Sequence, residues 1–153
     1  MVEIERKFLV DTNKWKPAEK RIKIKQGYLS AESNVTVRVR IAGERAFLTI
    51  KGRVEGISRP EFEYEIPVNE AQILMEMCLY SPVEKTRYIE YHDGLKWEID
   101  LFEGMNKGLV MAEVELENEN QAVKLPSWIL KEVSGDYRYF NSWLSHHPFS
   151  TWE

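Results

Sequence analysis

Apolar and polar residues alternate with a period of two along most of this chain, the pattern of strands that present unlike faces. In 35–41, Val35, Val37, Val39 and Ile41 oppose Thr36, Arg38 and Arg40. In 61–66, Phe62, Tyr64 and Ile66 oppose Glu61, Glu63 and Glu65. The same reading predicts strands over 3–10, 22–28, 46–51, 83–91, 96–102 and 110–117, about eight in all. Gly43-Glu44 and His92-Asp93-Gly94 supply hairpin turns. Asn69 with Gln72 three residues on has the form of a capping box and predicts a helix over 69–79. A short helix is expected at 119–124, and another from Pro126 to Val133 with proline at its start. Asp136 is expected to cap a last helix ending near Ser145. Many strands joined by short turns predict a mainly β (α+β) fold, an antiparallel sheet closed on itself with flanking helices.

The 153 residues fit one domain, read as 1–145 with a C-terminal tail at 146–153. At 43% hydrophobic and 12% aromatic residues, the chain has enough apolar surface for a core. The net charge of −4 leaves no overall basic footprint for nucleic acid. No apolar run approaches the length of a membrane span, and no secretory leader is visible. A single cysteine, Cys78, suits a reducing compartment and reads as a packing residue beside Met77 and Leu79. These features predict a soluble cytoplasmic protein, with no nucleic-acid or membrane partner.

Charge is unevenly placed. Residues 1–59 carry 14 Lys/Arg against 7 Asp/Glu, whereas 60–153 carry 7 against 18. Like charges also recur two residues apart: Glu3 and Glu5, Arg38 and Arg40, Glu61 and Glu63, Lys85 and Arg87, Glu98 and Asp100, Glu113 and Glu115. One such pair, about 7 Å apart, costs only about 0.6 kcal/mol in water and is tolerated on any solvated strand. Two packings therefore remain open. In a sandwich the apolar faces form the core and the charged faces meet solvent. In a barrel jacketed by helices, the apolar faces pack outward and the charged faces line the lumen. Exposed sheet faces usually intersperse both signs, and the segregation seen here tilts the balance toward a lumen. Buried charge needs company: Arg and Lys would bind phosphate oxygens, and carboxylates would hold a hard cation. No phosphate loop and no nucleophile elbow occurs. His92, His146 and His147 lack ligand spacing and read as solvated.

The ordered set of motifs resembles the CYTH superfamily, the triphosphate tunnel metalloenzymes. It begins with Glu3-x-Glu5-x-Lys7 and continues with Gln26-Gly27-Tyr28-Leu29, Arg38-x-Arg40, Thr49-Ile50-Lys51 and Glu61-x-Glu63. It runs on through Glu84-Lys85-Thr86-Arg87-Tyr88, Glu98-x-Asp100, Glu113-x-Glu115 and Asp136-x-Arg138-Tyr139-x-Asn141. The chain looks most like the short bacterial members, which resemble inorganic triphosphatases. The resemblance implies an eight-stranded antiparallel tunnel barrel and cleavage of tripolyphosphate to pyrophosphate and phosphate with Mg²⁺ or Mn²⁺. It further implies that Arg38, Arg40, Lys51, Lys85 and Arg87 clamp phosphate oxygens, with Arg138 adding to them. Glu3, Glu5, Asp100, Glu113 and Glu115 become metal ligands, and Glu61, Glu63 and Glu98 complete the acidic wall. In some short members, residues matching Lys7 and Tyr28 activate water. Lys7 is equally suited to clamping phosphate, and Tyr28 to packing. Tyr137 and Phe140 depart from the pattern of some relatives. Rival readings are a class IV-type adenylate cyclase or a thiamine or nucleoside triphosphatase of the same fold. A non-catalytic polyphosphate-binding module and a surface-charged β domain that binds a protein are further rivals. The expected partner is a small-molecule triphosphate, and the expected state a monomer or homodimer.

Overall fold

The computed structural model describes residues 2–32 and 34–152. Nine strands and two α-helices follow in chain order: β1 (Val2–Val10), β2 (Arg21–Ala31), β3 (Thr36–Ala42), β4 (Arg45–Lys51), β5 (Ser58–Ile66), α1 (Val68–Glu76), β6 (Val83–His92), β7 (Leu95–Phe102), β8 (Val110–Glu115), β9 (Ile129–Glu132) and α2 (Asn141–Leu144). Each hydrogen-bonds its neighbour in the ring β1-β5-β4-β3-β2-β6-β7-β8, and β8 returns to β1, so eight antiparallel strands close a barrel. The expected architecture is therefore the observed one. No helix among the described residues is long and apolar enough to cross a membrane.

β1 explains the ninth strand. One edge pairs with β8 from Glu5 to Leu9. The other edge meets β5 only over Val2–Ile4. Beyond it, the Lys7 N–H donates to Ser134 Oγ at 2.9 Å and the Lys7 carbonyl accepts from Val133 N–H at 2.8 Å. Phe8, Leu9 and Val10 then pair with β9. Every backbone group on this edge needs a partner, and 129–132 supplies it as strand. The helix expected over 126–133 is thus replaced by β9, because a short apolar run does not declare its period and the open edge decides.

Other expected helices are also revised. α1 starts one residue before Asn69, and its cap is Pro67, whose carbonyl accepts from Glu70 and Ala71 N–H. Asn69 lies inside the first turn and caps nothing. Residues 119–124 form no helix; Asn118 and Gln121 side chains accept from Asn120 and Glu117 N–H, a local alternative to helical bonding. Asp136 does cap, accepting from Arg138 N–H at 3.1 Å, but only for one 3₁₀ turn, Tyr137–Tyr139. Extended Phe140 interrupts, and α2 is a single turn. At Asp93-Gly94 both residues have positive φ, 52° and 78°, the tight hairpin turn the dipeptide favours.

Apolar side chains occupy three places. Phe8, Trp97, Ile99, Ala112 and Val114 face outward and are covered by loop residues Trp15 and Trp128. Val39 and Ala46 lie under α1. A third cluster, with Phe102, Met111, Leu144 and Leu9, fills one end of the bore. Residues 146–152 dock beside it: Phe149 N–H donates to Asn106 Oδ1 at 2.8 Å, and Trp152 indole N–H to the His147 carbonyl at 3.0 Å. His147 stacks on Trp143, with centroids 3.8 Å apart, and His146 on Tyr80 at 4.4 Å, so both are half-buried packing residues rather than solvated ones.

Candidate active site

Cross-strand partners share a face of the sheet. Lys7 stands opposite Glu113, and Glu113 opposite Glu98. Arg87 stands opposite Asp100, Tyr28 opposite Arg38, and Lys51 opposite Glu61. This shared face is the bore. On β1 the inward residues run Glu3, Glu5, Lys7, then Leu9; on β7 they run Glu98, Asp100, then Phe102. With the apolar end filled, the charged levels form a cup around a cavity of about 280 Å³.

The basic wall is held by few carboxylates. Arg87 grips Asp100 with two bonds, Nε–Oδ1 2.7 Å and Nη2–Oδ2 2.9 Å. Lys85 Nζ lies 2.7 Å from Asp100 Oδ2 and donates to Asn141 Oδ1 at 2.8 Å. Both oxygens of Asp100 are thus engaged by the basic wall in the metal-free protein. Arg87, followed by Lys85, holds the Asp100 carboxyl far below the usual carboxylate range against its burial. With Asp100 so shared, burial and the neighbouring Arg87 and Arg40 push Lys85 down to about 7. Arg38 donates to Thr49 Oγ1 at 3.1 Å and sits 3.5 Å from Glu63, yet its buried Nε has no partner. Arg40 has no ion pair among the described residues; its Nε donates to Gln26 Oε1 at 2.8 Å. Burial, then Arg38 and Arg87, pull it down to about 9.

The acidic wall has the mirror problem. Glu3 is satisfied by Lys51, with Nζ 2.9 Å from both oxygens. Burial raises the Glu3 carboxyl, but Lys51 more than offsets it. Lys51 also reaches Glu61 at 3.3 Å, where burial and Glu3 push the second carboxyl up to about 7. Glu5 has no ion pair among the described residues, and burial beside Glu113 and Glu3 raises it well above the carboxylate range. Glu113, 3.7 Å from Lys7, is pulled down to about 2, Lys7 and Arg87 outweighing its burial. Glu115 lies at the more open end and is raised by partial burial and by Glu3. Lys7 is buried, but Glu113, Glu5 and Glu3 outweigh that and hold its ammonium charged.

Fifteen of the sixteen residues singled out in the sequence thus meet in or directly behind one cavity. Arg138 does not join them. It forms an exposed pair with Asp136 and lies over the Tyr139 and Trp152 rings. Two charged lining groups, Arg59 and Lys96, escaped the sequence reading. Arg59 and Lys96 each stand two residues before an inward glutamate, so the strand period was a usable signal, but a search for like-charged pairs passes over them. Asn141 ends the family motif quoted above, but its reach into the bore from α2 follows a tertiary path that no local pattern reveals.

Residues 1–141 match the CYTH domain family. The chain is 45% identical over 152 residues to an inorganic triphosphatase of Acetivibrio thermocellus, covering 99% of this chain and 97% of that one. It is 38% identical over 150 residues to an inorganic triphosphatase of Nitrosomonas europaea, covering 95% and 97%. Among solved structures it superposes on the crystal structure of the inorganic triphosphatase NE1496 with a TM-score of 0.67 at 37% identity, covering 94% of this chain and 97% of that one. The chain belongs to the CYTH domain family.

Members of this family work with a divalent metal. No three described carboxylates, histidines or cysteines converge as a finished metal cage. The donor chemistry nonetheless fits a hard cation, because Glu5 lacks a cationic partner and faces Glu113 and Glu3.

Proposed function

We propose that this protein is a divalent-cation-dependent inorganic triphosphatase that hydrolyses tripolyphosphate to pyrophosphate and phosphate in the charged cup. One observation carries the reading: charge in the bore is unbalanced in both directions. Arg40 and Glu5 are each pressed toward neutrality by burial among like charges. An anion rich in oxygens relieves the first strain and a hard cation the second, and a metal–triphosphate complex supplies both at once.

Arg38, Arg40, Lys85 and Arg87 then hold phosphate oxygens in line, with Lys51 and Arg59 on the opposite side of the mouth. Glu3, Glu5, Glu113 and Glu115 would hold Mg²⁺ or Mn²⁺, with Glu61, Glu63 and Glu98 as the remaining acidic wall; when bound, the ion supplies charge neutralisation and polarises water. Attack of water on a terminal phosphorus breaks its bond to the bridging oxygen and releases phosphate and pyrophosphate. The clamp contributes chiefly by positioning and by stabilising charge on the transferring group. Lys7 keeps its proton while Glu113, Glu5 and Glu3 bear their charges, and acts first as a phosphate clamp. With those carboxylates neutralised, burial dominates and Lys7 becomes a proton acceptor beside Tyr28. Arg138 takes no part in the clamp of the free protein. We place the protein in the cytoplasm as a monomer or homodimer.

The experiment is phosphate release from tripolyphosphate, ATP and thiamine triphosphate, compared side by side with Mg²⁺ and Mn²⁺. Preference for tripolyphosphate is expected. Cyclic AMP formed from ATP, or no turnover of any of the three, would overturn the proposal.

A further inference from the structure

Gln26 is a fully buried polar side chain beside the cup that does not line the cavity. Its three hydrogen bonds account for it. Oε1 accepts from Arg40 Nε at 2.8 Å. Nε2 donates to Tyr28 Oη at 3.1 Å and to Asn141 Oδ1 at 3.2 Å. Asn141 Oδ1 accepts in turn from Lys85 Nζ at 2.8 Å. An unbroken chain of hydrogen bonds therefore runs from Arg40 on β3, through Gln26 on β2, to α2 and Lys85 on β6.

Each link has a physical reason. Arg40 has no carboxylate to fix it, so an amide oxygen sets the plane of its guanidinium while leaving its positive charge available to an anion. A carboxylate in place of Gln26 would fix it too, but would neutralise the charge. The amide of Gln26 fixes the Tyr28 hydroxyl by the same token. Asn141, at the first position of a one-turn helix whose Leu144 enters the apolar plug, ties the C-terminal segment to the same plane. Gly27, the next residue, lets β2 approach α1 closely enough to keep Gln26 seated.

We infer that Gln26 and Asn141 are positioning residues of the phosphate clamp, Gln26 acting through Arg40 from behind the cavity wall and Asn141 through Lys85 from the wall itself. This rests on the phosphate-binding reading above but predicts something separable from it. In the free protein, the Arg40 Nε–H proton signal should be protected from solvent exchange, and it should lose that protection in Gln26→Met. Tripolyphosphate affinity, measured by titration calorimetry without turnover, should fall roughly tenfold in the same variant, as for one charged hydrogen bond. Asn141→Ala should weaken binding as well, and the double variant should lose less than the two losses combined, because both act on one chain. Circular dichroism should show all three folded. Unchanged affinity with a protected Arg40 signal in Gln26→Met overturns the inference, as do independent, fully additive losses. If the wild type binds no tripolyphosphate, the functional reading falls while the Arg40 signal still decides the positioning.

Discussion

Arg87 and Asp100 face each other across β6 and β7 and join through two parallel hydrogen bonds of 2.7 and 2.9 Å, fully inside the barrel. Lys85 leans on the same carboxylate at 2.7 Å. Two cations thus share one buried anion, with only the longer Arg87–Glu98 contact of 3.3 Å beside it, which leaves the basic wall short of negative charge.

Asp100→Asn should therefore damage the fold as well as the site. It removes the one ion pair Lys85 has among the described residues and leaves buried Arg87 only Glu98, at 3.3 Å, a loss of about 3–5 kcal/mol on the scale of broken buried pairs. Urea unfolding should show a markedly lower midpoint, with partial recovery when tripolyphosphate is added.

Arg40→Ala should behave in the opposite way. Removing a guanidinium crowded by Arg38 and Arg87 relieves repulsion, so the melting temperature should hold or rise while turnover falls by about a hundredfold or more. Thermal melting and phosphate release on the same preparation check both halves.

Acid titration of the free protein, with a chelator present, should reveal the acidic wall. Glu61 ionises near 7 in the folded chain and near the ordinary carboxylate value when unfolded. The folded state then binds the extra proton between those values, so this group raises stability as pH falls from about 7 toward 4.5. Below that window Asp100 and Glu113, both depressed, reverse the trend, since stability they supply above the ordinary carboxylate range is lost on further acidification. Glu61→Gln should flatten the upper part of the melting-temperature profile and leave the lower part intact.

Gly27→Ala should destabilise by about 1–3 kcal/mol through overpacking, because an added Cβ would collide with Cys78 Sγ and crowd Met75 Sδ at 3.2 Å. Cys78→Ala in the same chain should recover part of the loss, as measured by denaturant midpoints.

Much of this molecule was legible because strands declare themselves locally. Arg38 and Arg40 alternate with Val37 and Val39, and that alternation sufficed to place both guanidinium groups on one face of the sheet. The sorting of signs between strands pointed to the inside, which periodicity alone does not distinguish from the outside. What was lost depended on distant partners. Ile129–Glu132 became β9 because β1 had an open edge, not because of its own pattern. Asn69 looked like a cap, but Pro67 took the position. Arg138 fits the motif, yet Asp136 two residues away captures it. Asp100 sits at the spacing of a ligand, and only the register with Arg87 reveals the ion pair it makes in the metal-free protein.

The most direct measurement is phosphate release from tripolyphosphate with Mg²⁺, compared among wild type, Glu5→Ala and Arg40→Ala at matched folding. Expected are equal amounts of phosphate and pyrophosphate from the wild type, abolished by a chelator, with both variants nearly inactive. Undiminished turnover in both variants would contradict the charge-imbalanced cup as the seat of the reaction.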